Sequence, residues 1–230
     1  AKVFRKDAPG TLVYEHKWER LVAPLLSRLG IYMARYGYVD FRYPVAECRG
    51  TLRAYGCFEC SRYFDDIKSI LQEEITPKAP PRPENAERLR KIAESESVCV
   101  TIRRGDYLSD QFRDAFYLCT PEYFIHAMKI MKEKVPNAKF YVFSDEPAWC
   151  REHIAFPFAC EFESGSDPVA EKLRLMSACK HFIISNSTFS WWGAWLDPRP
   201  EARVVAPRLW YRNNPRDSAR DLVPAHWLRL

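Results

Sequence analysis

The chain has 230 residues, of which 47% are apolar and 28% charged, and a net charge of +5. That balance supports a real core in one domain or two small ones and excludes a disordered chain. The charge suits an anionic ligand but is too small and too dispersed to indicate nucleic acid.

Apolar residues at Leu21, Leu25, Leu29 and Tyr32 predict an amphipathic helix within 18–38. Segment 39–49, with Pro44, reads as extended or looped. Residues 62–74 return to helical spacing through Phe64, Ile67 and Leu71. Three prolines in 78–83 make a stiff connector. Residues 84–94 read as a helix with Asn85 as its N-cap.

From Val98 the pattern is regular. A strand at 98–102 leads into an irregular loop to Cys119. Thr120 caps a helix that has Pro121 at its first position and Tyr123, Phe124, Ala127, Met128 and Met131 on its apolar face, ending by Asn137. A strand at 138–143 closes on Ser144 and Asp145. Then come a helix at 147–153, a weak strand at 159–162, a helix at 169–179, a strand at 181–185, a helix at 190–196 and a last strand at 203–206. In the tail, 211–230, a docking patch is expected at Trp227, Leu228 and Leu230. Alternating short strands and helices are βαβ units, so the expected fold is α/β with an open parallel sheet covered on both faces.

Ligands of such sheets bind beyond the carboxyl ends of the strands. Arg103, Arg104, Ser144, Asp145, Asn186, Ser187 and Thr188 all fall there. Guanidinium groups make bidentate bonds to phosphate, so Arg103 and Arg104 are candidate diphosphate ligands. Successive side chains on a strand point to opposite sides, so one is expected to grip phosphate while the other pairs with Asp106 or the opposite domain. Gly105 permits a sharp turn or a close approach. Asp106 reads as an arginine-orienting group, with a general base as the alternative. Ser187, Thr188 and Ser190 precede or open a helix, either as caps or as a phosphate cradle. Asp145 is placed to meet ribose hydroxyls or a purine N–H. Tyr107 and Phe112 lie in a loop that suits a sugar site. Trp191, Trp192 and Trp195 read as packing residues.

The eight cysteines are expected to be reduced and structural, with Cys99 and Cys179 buried. Cys57-x-x-Cys60 has no second pair at metal spacing. None of His16, His126, His153, His181 and His226 has a partner at such spacing, so no metal site is expected. No Walker loop and no complete dinucleotide fingerprint is present. No apolar run approaches the ~20 residues that span a bilayer, and the front lacks a signal-peptide order.

Several runs carry a resemblance. Val98 to Tyr107, Phe140 to Asp145, Leu175 to Leu196, Val205-Ala206-Pro207 and Trp210 resemble the alpha-1,2-fucosyltransferase family. The resemblance implies an inverting, metal-independent transferase of the GT-B-like, two-domain nucleotide-sugar type. It would move L-fucose from GDP-beta-L-fucose to the 2-hydroxyl of a galactose-terminated oligosaccharide. It places Arg103 or Arg104 on the pyrophosphate, Ser187 and Thr188 near the same phosphates, and Asp145 near the nucleoside. It implies a partial acceptor-side domain over 1–80, a Rossmann-like GDP-sugar domain over 81–210 and a tail over 211–230. It also implies a cytoplasmic protein touching the inner membrane or a second copy of itself if bacterial, and a Golgi protein if an anchor precedes it.

Three departures stand out. The family usually has His at Thr101 and often an acidic residue at Lys172, and its glycine-rich opening strand and helix have no counterpart in 1–30. The alternatives are a non-catalytic or truncated homologue that binds GDP-sugar, or a transferase of another nucleotide sugar. Beside Asp106, the base is expected among first-domain carboxylates such as Asp40, Asp65 and Asp66 or in the missing part of that domain.

Overall fold

The computed structural model describes residues 22, 25, 26, 28, 29, 31–35, 51–55, 60–212 and 221–230. The predicted loop at 39–49, and with it Asp40, lies outside them, as do His16 and Cys57. The chain divides into two compact units, one made of 1–66 and 220–224, the other of 67–219 and 225–230.

In the first unit β1 (Ile31–Arg35) pairs in parallel with β2 (Thr51–Tyr55). The predicted long helix therefore stops short of Ile31, although residues 22, 25, 26 and 28 are helical. Ile-Tyr-Met-Ala-Arg is a short apolar run, and periodicity alone does not separate such a run from a buried helix.

The second unit holds α1 (Lys68–Ile75), α2 (Ala86–Glu94), β3 (Glu96–Ile102), α3 (Pro121–Lys134), β4 (Ala138–Ser144), α4 (Pro147–His153), β5 (Cys160–Phe162), α5 (Val169–Ala178), β6 (His181–Ile183), α6 (Thr188–Trp195), β7 (Val204–Ala206) and β8 (Leu228–Arg229). Its six strands form one all-parallel sheet in the order β5-β4-β3-β6-β7-β8. From β3 the chain steps outward through β4 and β5. It then crosses back to lay β6 on the other side of β3. The neighbours β3 and β6 thus mark the point where the winding reverses, and a crevice opens at their carboxyl ends.

Burial explains why β3 reads as continuous Val-Cys-Val-Thr-Ile. Six of its seven residues are buried, as expected for a strand covered on both faces. Val98, Val100 and Ile102 pack in one core with Phe124, Ala127, Met128 and Met131 of α3 and with Phe140 and Val142 of β4. Each of these side chains except Ala127 contributes roughly 1.5–3 kcal/mol by leaving water. Cys99 points the other way and meets Cys179, and burial pushes the Cys99 thiol well up. The six described cysteines are all free thiols. Burial pushes Cys119 and Cys160 up to about 12, which makes them poor nucleophiles.

The boundaries differ from the predicted ones where side chains find other work. Asn85 stands at the N-cap position of α2 but makes no side-chain cap bond. Its Nδ2 donates to Asp167 Oδ1 at 2.9 Å and to Glu171 Oε1 at 3.3 Å. The expected docking patch is also revised. Trp227 is buried, and residues 228–229 form the edge strand of the sheet. Leu230 N–H donates to Ala206 O at 3.0 Å. No described helix is long and apolar enough to cross a membrane.

His181 opens β6 inside this structure. Its Nδ1 accepts the Arg203 N–H at 3.1 Å, and its Nε2 lies 3.7 Å from Glu96 Oε2. Burial lowers its pKa from 6.5, and the Glu96 carboxylate only partly opposes that. The unfolded chain therefore binds the proton more readily than the fold does. Stability attributable to His181 is intact above about pH 6.5 and declines as pH falls below it. Urea titrations at pH 7.5 and pH 5.5 should show a smaller acid loss for His181→Gln than for the wild-type protein.

Candidate active site at the reversal of the sheet

The two strand ends are stitched together beyond the ladder itself. Ser185 N–H donates to Thr101 O at 3.1 Å, and Ser185 Oγ accepts the Arg103 N–H at 3.2 Å. This sets the turn after β3 beside the turn after β6. A cavity of about 460 Å³ opens there. Its walls include Arg103, Asp106 and Tyr107 after β3, Ser144 and Asp145 after β4, Lys172 and Met176 on α5, and residues 187–190 at the start of α6.

Arg103 and Arg104 diverge, as strand alternation requires. Arg103 turns into the cavity wall, with Nη2 2.7 Å from Asp106 Oδ2 and Nη1 3.3 Å from Asp145 Oδ2. Burial pulls its pKa down, but the bond to Asp106 and the charge of Asp145 outweigh that, and the net direction is up. Arg104 does not line the cavity. Its guanidinium carbon lies 3.6 Å from the centre of the Trp149 ring, a cation–π contact. Its Nε is 3.1 Å from Glu146 Oε2, close enough to pair but without hydrogen-bond geometry.

Asp145 lines the cavity and also holds its floor. One oxygen accepts the Arg104 N–H at 3.1 Å and the other the Gly105 N–H at 3.0 Å. A Cβ on Gly105 would come within 3.2 Å of Asp145 Oδ2, so the close approach Gly105 allows is to this carboxylate. Ser144 Oγ accepts from Glu146 N–H at 3.0 Å and from the Cys150 thiol at 3.3 Å.

The second loop reads differently from expectation. The helix begins at Thr188 with Ser187 as its N-cap, and Ser187 makes no side-chain cap bond. Ser190 therefore lies inside the first turn. Trp191 N–H is the first in the helix to bond back, to Ser187 O at 2.9 Å. The N–H groups of Thr188, Phe189 and Ser190 are those a helix leaves without an internal acceptor, and these residues line the cavity.

Asn186 does not reach the cavity. It is fully buried, and its Nδ2 donates to Tyr117 O at 2.5 Å and Trp210 O at 2.9 Å. Tyr107 joins the wall, stacks on Phe116 at 4.6 Å and donates its hydroxyl to Asn186 O at 2.6 Å. Trp191 and Trp195 are buried and stacked at 5.5 Å. Asp65 and Asp66 belong to the first unit and are exposed.

Sequence reasoning missed Val169 and Met176 as cavity residues. Both sit on α5, which reads only as an amphipathic helix. Lys172, noted as a departure, lines the cavity and pairs with the buried Glu163 at 3.7 Å. Among the described residues no group of three or more His, Cys, Asp or Glu side chains is arranged to hold a metal ion.

The family model described as glycosyl transferase family 11 matches residues 34–229. The chain belongs to glycosyl transferase family 11. The match spans both units and includes every residue that lines the cavity. Among curated relatives, an alpha-1,2-colitosyltransferase of Escherichia coli is 34% identical over 79% of this chain. The O-antigen biosynthesis glycosyltransferase WbnK, also of Escherichia coli, is 32% identical over 59% of it. The galactoside 2-alpha-L-fucosyltransferase SEC1 of Bos taurus is 28% identical over 60% of it. The chain spans 63%, 45% and 40% of the length of these three.

Asp145→Ala removes the acceptor of two loop N–H groups at once. A loss of about 1–3 kcal/mol in urea unfolding is expected. Asp145→Asn, which offers one acceptor and one donor, should recover only part of it.

Proposed function

We propose that this chain is the donor-binding part of an inverting glycosyltransferase. On this reading it moves L-fucose from GDP-beta-L-fucose to the 2-hydroxyl of a terminal galactose in a glycan. One observation carries the reading. A guanidinium group and the start of a helix line a single cavity at the reversal of a parallel sheet. That is the chemistry a diphosphate requires. The GT-B-like organisation, with an acceptor-side domain over residues 1–80, belongs to the same proposal.

The acceptor hydroxyl attacks the anomeric carbon from the face opposite GDP. The new C–O bond forms as the bond to the β-phosphate oxygen breaks, and the electron pair leaves on GDP. Arg103 and the N–H groups opening α6 stabilise that growing charge. The attacking hydroxyl gives its proton to a base. The helix start donates from backbone groups already fixed in place, so little reorganisation accompanies the transfer. In this scheme Arg103 and the helix start take the role a divalent cation has elsewhere. Transfer should therefore persist in EDTA.

A second reading rests on the colitosyltransferase relative, which favours nucleotide-linked colitose as donor. A panel of nucleotide sugars assayed for transfer to lactose separates the two. Arg103→Ala should weaken donor binding about 10- to 100-fold, the size of a lost charge-assisted bond pair. Wild-type donor affinity in Arg103→Ala would reject the reading.

A further inference from the structure

Arg103 is already paired in the structure. Asp106 holds one arm of its fork at 2.7 Å and Asp145 faces the other at 3.3 Å. A diphosphate that takes the same N–H groups of the fork must replace at least one of these carboxylates.

The two carboxylates are not equivalent. Asp145 is fixed by the N–H groups of Arg104 and Gly105, and its side chain is 22% exposed. Asp106 sits on a single exposed 3-10 turn, Asp106–Leu108, with its side chain 41% exposed. Among the described residues the Asp106 carboxylate pairs with Arg103 alone. The turn itself is held by backbone and hydroxyl bonds from Ser109 to Asp106 O, at 3.0 and 2.6 Å. These survive if the carboxylate swings away.

We propose that Asp106 is a displaceable anion that keeps Arg103 paired and oriented until the donor diphosphate takes its place. The proposal rests on the donor reading of the cavity and adds to it the group that the phosphates exchange with. Carboxylate and phosphate oxygens accept the same guanidinium bonds. An exposed ion pair of this kind is weak, so releasing it costs the ligand no more than about five-fold in affinity. In return the guanidinium is held at the wall and its charge stays balanced in the empty protein. Asp145 remains in place during the exchange and keeps the backbone turn closed beneath the ligand. Binding then swaps one anion for another on Arg103, which softens its dependence on salt.

Calorimetric titration of GDP into the wild-type chain, Asp106→Asn, Arg103→Ala and the double variant tests this. Asp106→Asn should bind GDP about two- to five-fold tighter, with a steeper fall in affinity as salt rises. The double variant should bind no tighter than Arg103→Ala. Binding by Asp106→Asn that is equal to or weaker than wild type overturns the proposal, because the carboxylate then supports the ligand. A gain that persists without Arg103 overturns it too, as a general charge effect. Wild-type GDP affinity in Arg103→Ala is the distinct outcome that removes the donor reading itself, and this exchange with it.

Discussion

The geometry of the site depends on Ser185. Its N–H reaches back to Thr101 O, and its hydroxyl accepts the N–H of Arg103. These two bonds extend the pairing of β3 with β6 past the last regular register pair, Val100 with Ile183. They decide how closely the arginine turn and the helix start approach each other. A residue that is itself fully buried thus sets the width of a solvent-facing cavity. The arrangement works because the sheet reverses its winding here. The connections of β3 and β6 leave in opposite directions, and such a reversal is where an open parallel sheet forms its crevice.

Around that stitch, polar groups divide into those that hold the backbone and those that face the cavity. Asp145, Ser144 and Asn186 mainly satisfy N–H and carbonyl groups of neighbouring loops. Arg103, Lys172 and the opening of α6 face the space they enclose. Arg104 belongs to neither group, since its side chain lies between the Trp149 ring and the Glu146 carboxylate. Two adjacent arginines in one motif therefore do different jobs. The strand's pleat enforces this, because neighbouring side chains leave on opposite sides.

Much of this was legible in the sequence, and the reasons are physical. Helix α4 matches its predicted bounds because Pro147 fixes the first turn and His153 closes the last. The strand ends read as the place where a cavity opens because open parallel sheets form their crevice at the carboxyl ends. What escaped reading depends on partners far away in the chain. Asn186 looks like a loop amide until the carbonyls of Tyr117 and Trp210 come beside it. Arg104 meets Trp149, 45 positions further along the chain. Asn85 looks like a cap, but buried carboxylates at Asp167 and Glu171 claim its amide. β1 reads as helix because four apolar residues before Arg35 carry no period of their own. The start of α6 shifted by two residues because the hydroxyls of Ser187, Thr188 and Ser190 are equally good caps on paper.

The sheet's last strand has a bearing on how this molecule is made. β7 has β6 on one side and residues 228–230 on the other. A ribosome-bound chain that has emerged only as far as Ala206 carries β7 with an open flank, its amides and carbonyls facing water. Bare flanks of that kind recruit strands from other chains. Between synthesis of Ala206 and Leu230 that flank is therefore open to mispairing. A chaperone that shields that flank until Leu230 arrives would act at the right moment.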